Sequence, residues 1–256
     1  MAYAWRWLRS LVFSLQIYAM MAIMAVFFTP WALFDRRGAF AAVHTWCRYV
    51  RWSARWMLGL RSEIRGEIPT GEVMIAAKHQ SFFDIIILVS ELPRPKFIMK
   101  KELRRTPILG WYAQRIGCVP VDRGKRGAAI KAMMERVHSG RQEPGQLIIY
   151  PQGTRVAPGA HRDYKVGTGL LYQEMGTDCV PVACNVGVFW PRKRIYREPG
   201  LAVVEFMPPV PPGLELRDFM TRLEGEVEAR STALMAEAGF AMPGDEAAMQ
   251  GPALKG

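Results

Sequence analysis

The residues of this chain with the clearest chemical potential are His79 and Asp84, in the stretch Lys78-His-Gln-Ser-Phe-Phe-Asp84. A carboxylate five residues after a histidine, across a turn into a helix, can accept a hydrogen bond from one imidazole nitrogen. That bond fixes the tautomer and stabilises the imidazolium when the other nitrogen takes a proton. Since the pair has no partner Ser, Cys or metal, the nucleophile that it activates would be a substrate hydroxyl.

Three later segments place a cation or a glycine-rich turn directly after a predicted strand. They are residues 97–103 with Lys100, residues 117–124 with Arg123, and residues 150–155 with Gly153, Thr154 and Arg155. Backbone N–H groups and arginine side chains bind phosphate at such positions. Lys100, Arg123 and Arg155 therefore predict a converging anion clamp. For each cation taken alone, a surface salt bridge is the alternative.

The elements that must position these residues form an alternation of strands and helices. Short apolar runs predict strands at 73–77, 96–99, 118–121, 147–150, 179–186 and 201–206. Amphipathic runs predict helices at 83–91, 101–115, 127–139, 165–175 and 214–238. The alternation predicts an α/β fold, a mixed β-sheet flanked by helices. Ligands bind such sheets at the C-terminal ends of strands, where the residues above lie.

The N-terminal segment has a different composition. Residues 10–34 carry no charge, and this run is longer than the ~20 residues that a helix needs to cross a bilayer. It is too long for a typical signal-peptide core and lacks a clean small-x-small cleavage site. A buried helix of a soluble protein is the remaining alternative. Arginines on both sides leave open whether the segment spans the membrane or dips into one leaflet.

Residues 40–60 predict a second, amphipathic helix. His44, Arg48, Arg51 and Arg55 share one face of the helical projection, and Trp52 and Trp56 lie near its boundary with an apolar face. A basic face, an apolar face and flanking tryptophans are typical of a helix in the membrane interface. The alternative is a helix that packs on the core with a solvated basic face.

Length and pattern together predict three parts of the chain. Residues 1–66 form membrane-associated helices, residues 67–240 form the α/β domain, and the Gly/Pro/Ala-rich residues 241–256 form a flexible tail. The net charge of +11 predicts a polyanionic partner. Nucleic acid is disfavoured because no nucleic-acid-binding motif accompanies the basic residues. The four scattered cysteines predict free thiols in a reducing compartment and no zinc site.

Taken in order, these segments resemble the glycerophospholipid acyltransferases, specifically the bacterial 1-acyl-glycerol-3-phosphate acyltransferases. That family carries an H-x4-D motif, a G-x4-D-R motif, an F-P-E-G-T-R motif and an apolar V-P-V motif. The matching positions here are His79 with Asp84, Gly117 with Arg123, Tyr150 with Arg155, and Val180-Pro181-Val182. The resemblance covers roughly residues 70–210 and implies the same α/β fold behind an N-terminal membrane-associated helical segment.

The resemblance also implies a reaction. His79 would be the general base for the free hydroxyl of a lysophospholipid, and Asp84 would orient it. The acyl group would come from acyl-CoA or acyl carrier protein (acyl-ACP), giving phosphatidic acid for phospholipid biosynthesis without a covalent acyl-enzyme, a cofactor or a metal. Binding of the acceptor phosphate would fall to Lys100, Arg123, Gly153, Thr154 and Arg155, and Val180, Pro181 and Val182 would line the acyl path or support the sheet. The expected location is the bacterial inner membrane, with the catalytic domain facing the cytoplasm.

Three departures from the family pattern bear on the acceptor. Lys78 stands where the family most often has Asn and would add a cation beside the base, Gln152 replaces the Glu of the third motif and loses its charge, and Tyr150 replaces Phe. Lys78 and Gln152 are therefore possible modulators of the site. The departures leave open an acyltransferase for another lysolipid, such as lyso-ornithine lipid. A membrane-anchored lipid-binding protein without catalysis, and a thioesterase or lipid hydrolase, are further alternatives.

Overall fold

The computed structural model describes residues 2–121 and 144–241, together with positions 131 and 135. It begins with two long helices, α1 (Ala2–Phe34) and α2 (Arg36–Leu58). They form an antiparallel hairpin, in which the Trp46 indole donates to the Ile17 carbonyl over 2.8 Å. Asp35 separates them and begins α2, since its carboxylate accepts from the Arg37 N–H at 2.8 Å.

The α/β part follows directly. Its strands are β1 (Leu60–Arg65), β2 (Val73–Ala77), β3 (Pro95–Lys100), β4 (Val119–Val121), β5 (Gln146–Ile149), β6 (Cys179–Cys184) and β7 (Gly200–Phe206). Its helices are α3 (Phe83–Glu91), α4 (Leu109–Arg115), α5 (Gly167–Met175), α6 (Val186–Phe189) and α7 (Leu216–Glu237), with a 3₁₀ helix at Lys101–Arg105.

Across the described residues the seven strands form one sheet in the order β1-β7-β6-β2-β5-β3-β4. The five strands from β6 to β4 are mutually parallel, whereas β7 runs antiparallel to β6 and β1 runs parallel to β7. The predicted mixed sheet is thus confirmed. Because β2, β3, β5 and β6 point the same way, their C-terminal ends meet at one edge.

The central strand β2 is buried on both faces of this sheet. Ile75 and Ala77 belong to a core shared with α1, α2 and α3, and Met74 and Ala76 belong to a core shared with α5 and α7. Alternate side chains of a strand point to opposite faces. Continued past Ala77, this alternation directs the two residues after the strand, Lys78 and His79, to opposite sides of the sheet.

The predicted elements differ from the structure in a few places. The predicted helix 101–115 is divided, because Pro107 cannot donate a helical hydrogen bond and Ile108 has a φ of +61°. Strand β1 is not predicted. It lies before the predicted boundary at residue 66, and its run Leu-Arg-Ser-Glu-Ile-Arg carries charges typical of an edge strand. Of the predicted helix 127–139, only positions 131 and 135 are described, both helical; residues 242–256 lie outside the described part.

Helix α1 is the one described helix that is long and apolar enough to cross a membrane. Only 17% of its most apolar stretch is buried, so it is not the core helix of a soluble domain. Both ends contact the α/β part. Ser10 near its start accepts from the Arg197 N–H at 3.1 Å, and the carbonyls of Ala32 and Leu33 at its end accept from Arg115 at 2.8 and 2.9 Å.

The predicted basic face of α2 is divided between two surroundings. His44 bonds the Leu92 carbonyl at 3.0 Å, and Arg51 contacts Ser62, Ser90 and Glu91 in the α/β part. These two residues therefore face the domain, which corrects the prediction of a single basic membrane face. The exposed side of α2 keeps the other two arginines of that face and the two tryptophans at its boundary, namely Arg48, Trp52, Arg55 and Trp56.

Candidate active site

The His79 and Asp84 side chains meet at the C-terminal end of β2. Asp84 lies in the first turn of α3, is 1% exposed, and its Oδ1 is 2.9 Å from His79 Nδ1. Its other oxygen accepts the backbone N–H groups of Gln80 at 2.9 Å and Ser81 at 2.7 Å. All the contacts that fix the carboxylate thus come from within six residues of sequence.

This geometry determines the tautomer of His79. An ionised carboxylate is only an acceptor, so Nδ1 must carry the hydrogen of the His79–Asp84 bond. Nε2 is then the ring nitrogen free to take a proton. The imidazole is 11% exposed and lines the cavity described below. The pair can therefore act as a base toward a ligand in that cavity.

The ring of Tyr150, directly after β5, packs against one face of the His79 imidazole. The two rings are stacked with centroids 3.9 Å apart and planes 18° apart. The Tyr150 hydroxyl is buried and has no hydrogen-bond partner among the described residues. Burial, and next the charge of Asp84, raise the pKa of this phenol well above its usual range. Tyr150 therefore stays neutral and restricts the orientation of His79.

The loop after β5 is attached to the end of β2. The Val156 N–H donates to the His79 carbonyl at 2.8 Å, and the Gly153 N–H donates to the Tyr150 carbonyl at 2.8 Å. Gly153 has a φ of +68°, and a Cβ at this position would lie 2.7 Å from the Nζ atom of Lys165. Only glycine adopts this turn without strain, and the turn brings Thr154 and Arg155 to the cavity that contains His79.

A cavity of about 650 Å³ opens beside the base. Most of its wall is apolar and comes from the helix hairpin, α3, β3 and α4, including Met21, Met24, Ala42, Val43, Trp46, Ile85, Val89, Phe97, Leu109 and Ala113. Its polar lining includes His79, Thr154, Arg155 and Arg192. A long apolar wall joined to a base and two guanidinium groups suits a ligand with an apolar chain and an anionic head.

Two cations beside the site were not predicted. Arg192 lines the cavity, and its guanidinium is 3.5 Å from the Arg155 carbonyl. Lys165 places its ammonium group against Gly153. The sequence does contain a signal for the first of them, since residues 191–197 read Pro-Arg-Lys-Arg-Ile-Tyr-Arg after β6.

The other predicted site residues have different outcomes. Lys100 ends β3, on the same edge of the sheet as His79. Arg123 lies outside the described residues. Val180, Pro181 and Val182 form the middle of β6, where they pair with β2. They are not among the described residues that line the cavity, so their position is that of sheet support.

Lys78 and Gln152 meet on the opposite side of the sheet from His79. The Lys78 side chain is 2% exposed, and its ammonium lies 2.6 Å from both carboxylate oxygens of Glu228 in α7. Tyr164 donates to the same carboxylate at 2.9 Å, and the Gln152 amide approaches it at 3.4 Å. The cation at position 78 is thus paired with a carboxylate instead of lying free beside the base.

All four cysteines are buried free thiols, as predicted. Burial raises the pKa of Cys118 to about 11 and that of Cys179 to about 12. Burial also raises the pKa of Cys184, which lies near Lys78. These thiols are protonated at neutral pH and are poor nucleophiles.

Known proteins resemble the chain in sequence. Residues 60–185 match the family model described as Acyltransferase. Over 216 residues the chain is 28% identical to a 1-acyl-sn-glycerol-3-phosphate acyltransferase of Pseudomonas aeruginosa, and the match covers 84% of both chains. It is 31% identical over 138 residues to a lyso-ornithine lipid O-acyltransferase of the same organism, covering 52% of both chains. A mouse 1-acyl-sn-glycerol-3-phosphate acyltransferase alpha is 27% identical over 61% of this chain and 57% of the mouse protein.

The fold has a solved counterpart as well. The crystal structure of a 1-acyl-sn-glycerophosphate acyltransferase from Thermotoga maritima superposes with a TM-score of 0.75 at 23% identity. The superposition covers 90% of this chain and 98% of that one, so both share the mixed sheet and the N-terminal helices. The family model, the relatives and the His79–Asp84 geometry agree, and the chain belongs to the acyltransferase family of enzymes.

Proposed function

We propose that the chain is a membrane-bound O-acyltransferase that moves a fatty acyl group from acyl-CoA or acyl-ACP to the free hydroxyl of 1-acyl-glycerol-3-phosphate, giving phosphatidic acid. The observation that carries this proposal is the His79–Asp84 pair in one cavity with Arg155, Arg192 and a long apolar wall. The Pseudomonas relative with this activity, matched over 84% of its length, supports the acceptor.

The residues support a direct transfer. Nε2 of His79 takes the proton of the acceptor hydroxyl as its oxygen attacks the thioester carbonyl carbon, forming a C–O bond. Asp84 stabilises the imidazolium that results. The tetrahedral intermediate then collapses, the C–S bond breaks, and the imidazolium returns its proton to the departing sulfur. The products are the ester and a free thiol, and His79 is again neutral.

The acceptor headgroup binds near the loop after β5 in this proposal. Arg155 presents a planar guanidinium suited to two phosphate oxygens, and Arg192 adds a second guanidinium in the same cavity. Lys100 and Arg123 complete the clamp in the proposal, as the family resemblance implies. The acyl chains occupy the apolar wall, where each buried methylene contributes about 0.8 kcal/mol.

A panel of lysolipid acceptors tests the acceptor. With purified protein and both donor types, we expect a higher kcat/KM for 1-acyl-glycerol-3-phosphate than for lyso-ornithine lipid, because two guanidinium groups favour a phosphate over a headgroup that has none. The lyso-ornithine relative, at 31% identity, makes that lipid the second candidate. Preference for lyso-ornithine lipid would replace the proposed acceptor. Release of free fatty acid without any acceptor would indicate a hydrolase instead.

The helix hairpin supports membrane binding in one leaflet. Helix α1 has 33 residues and is therefore about 50 Å long, yet both of its ends contact the same α/β part. It thus lies along the domain and does not project away from it. Its free side is apolar, with Leu15, Val26, Phe27 and Phe34 each more than 60% exposed. This side suits insertion beside the headgroups, with Trp52 and Trp56 of α2 at the interface.

Membrane insertion through α1 predicts a loss of vesicle binding when charges enter its apolar side. We expect the double variant Val26→Glu/Phe27→Glu to bind vesicles of anionic phospholipid about tenfold more weakly or worse, since a carboxylate is costly to bury in the bilayer. Co-sedimentation measures this binding. The variant Ala233→Glu/Ala236→Glu adds the same charge on the exposed side of α7 and is the control. Equal binding by the two variants would contradict insertion of α1.

A cytoplasmic orientation at the bacterial inner membrane completes the proposal. The four free thiols suit a reducing compartment. The basic surface suits either acidic donor, because both acyl-CoA and acyl-ACP are polyanions. Reaction of the purified protein with one donor and not the other distinguishes between them.

A further inference from the structure

Glu228 connects three parts of the active-site framework on the side of the sheet away from His79. It lies in α7, outside every motif of the sequence analysis. Its carboxylate pairs with Lys78 at the end of β2 and accepts from Tyr164 in the loop after β5. Gln152, which directly precedes the Gly153 turn, approaches the same oxygen at 3.4 Å.

These contacts join the end of β2, which is followed by His79, to the loop after β5, which contains Arg155. The distance between these two parts matters for the reaction. Lys78 immediately precedes His79, and Gln152 lies three residues before Arg155 in the loop that faces the acceptor. Lys78 and Gln152 are each at most 3% exposed, whereas the Glu228 side chain is 26% exposed, so water screens these contacts less than it screens a surface ion pair. The carboxylate therefore fixes the loop after β5 against the end of β2.

Two further contacts join the same side of α7 to the C-terminal ends of β6 and β2. Ser231 accepts the Cys184 N–H at 3.3 Å, and the Met235 sulfur lies 3.5 Å from the Gln80 amide. With Glu228 these residues are spaced by three and four, so they share one side of the helix. Two of the three positions that depart from the family motifs, 78 and 152, contact this side.

We infer that Glu228 is a positioning residue, which holds Arg155 and its loop at the distance from His79 that the lysolipid acceptor requires. The inference rests on the proposed function. A buried ammonium without its carboxylate is unfavourable, and displacement of a binding loop by about 1 Å can lower kcat/KM about a hundredfold. Glu228 touches no reacting atom, so its effect reaches the reaction through Lys78, Gln152 and Tyr164.

The test compares Glu228→Gln with the double variant Lys78→Met/Glu228→Met. For Glu228→Gln we expect kcat/KM for the acceptor to fall about ten- to a hundredfold, through a higher acceptor KM, with the donor KM unchanged. The double variant removes both charges, so no buried ammonium is left unpaired, and such replacements are often neutral for stability. Since it also lacks the contacts to the loop, its acceptor KM is expected to stay high while its thermal unfolding matches the parent.

The control is Glu226→Gln on the same helix. The partner of Glu226 is the exposed Arg222 at 2.8 Å, so this variant should keep the parent kinetics.

A double variant with the acceptor KM of the parent would show that the pair only stabilises the fold, and would overturn the inference. Failure of both Glu228 variants to fold would do the same. If the parent itself does not acylate 1-acyl-glycerol-3-phosphate, the proposed function fails. An active parent that Glu228→Gln leaves unchanged refutes this inference alone.

Discussion

Replacement of His79 by Ala is expected to lower kcat for acyl transfer by about 10³- to 10⁴-fold, because the variant has no group to take the proton of the acceptor hydroxyl. Alanine also removes the ring that stacks on Tyr150 but leaves α1 and α2 intact. Vesicle binding should therefore match that of the parent. Release of the free thiol from the acyl donor, at saturating acceptor, measures the rate.

His161 provides the matched control for this substitution. Its side chain is 68% exposed, and its described contacts are the carboxylates of Asp163 at 3.1 Å and Glu224 at 3.9 Å. His161→Ala should keep nearly the full rate. A His79→Ala variant that retains more than about a tenth of the parent kcat would exclude His79 as the general base.

The second large effect is expected for Asp84→Asn, with a fall in kcat of about 10³-fold or more. The N–H groups of Gln80 and Ser81 both point at one carboxylate oxygen, so the asparagine must turn its carbonyl oxygen toward them. Its NH₂ group then faces Nδ1 of His79. Because Nδ1 must then accept a hydrogen bond, the hydrogen of the neutral imidazole moves to Nε2. In this tautomer Nε2 cannot take the proton of the acceptor hydroxyl.

Stability measurements distinguish a change in the His79 tautomer from a loss of the turn between β2 and α3. The asparagine oxygen still accepts the two backbone N–H groups, so the free energy of unfolding should change by only about 1 kcal/mol, measured by thermal unfolding. Asp218→Asn, which changes an exposed carboxylate in the first turn of α7, is the control for both measurements. A folded Asp84→Asn variant with a rate close to the parent would mean that the carboxylate only stabilises the turn before α3.

The local chemistry of the site could be predicted from the sequence because it is local in the chain. The His79–Asp84 pair needs only a turn of fixed length into α3, and the helix 83–91 has the predicted bounds. The apolar runs of the buried strands are similarly clear, since a strand covered on both faces has no polar side. The sequence pattern therefore predicted six of the seven described strands.

Long-range pairings could not be predicted in the same way. The meeting of Lys78 with Glu228 joins residues 150 positions apart and depends on the packing of α7 against the sheet. Strand β1 alternates charged and uncharged residues, a pattern too short to identify it alone, and it forms a strand because β7 lies beside it. Likewise, the helical projection of α2 cannot show that His44 and Arg51 face the domain while Arg48 and Arg55 face outward.

The confinement of the His79–Asp84 contacts to six consecutive residues has an evolutionary consequence. A base whose geometry is set inside one short turn can stay unchanged while distant helices and loops vary around it. The residues proposed to meet the acceptor come from separate parts of the chain, after β5 and after β6. Such an enzyme can change its acceptor without rebuilding its chemistry, which fits the similarity of this chain to relatives that act on two different lysolipids.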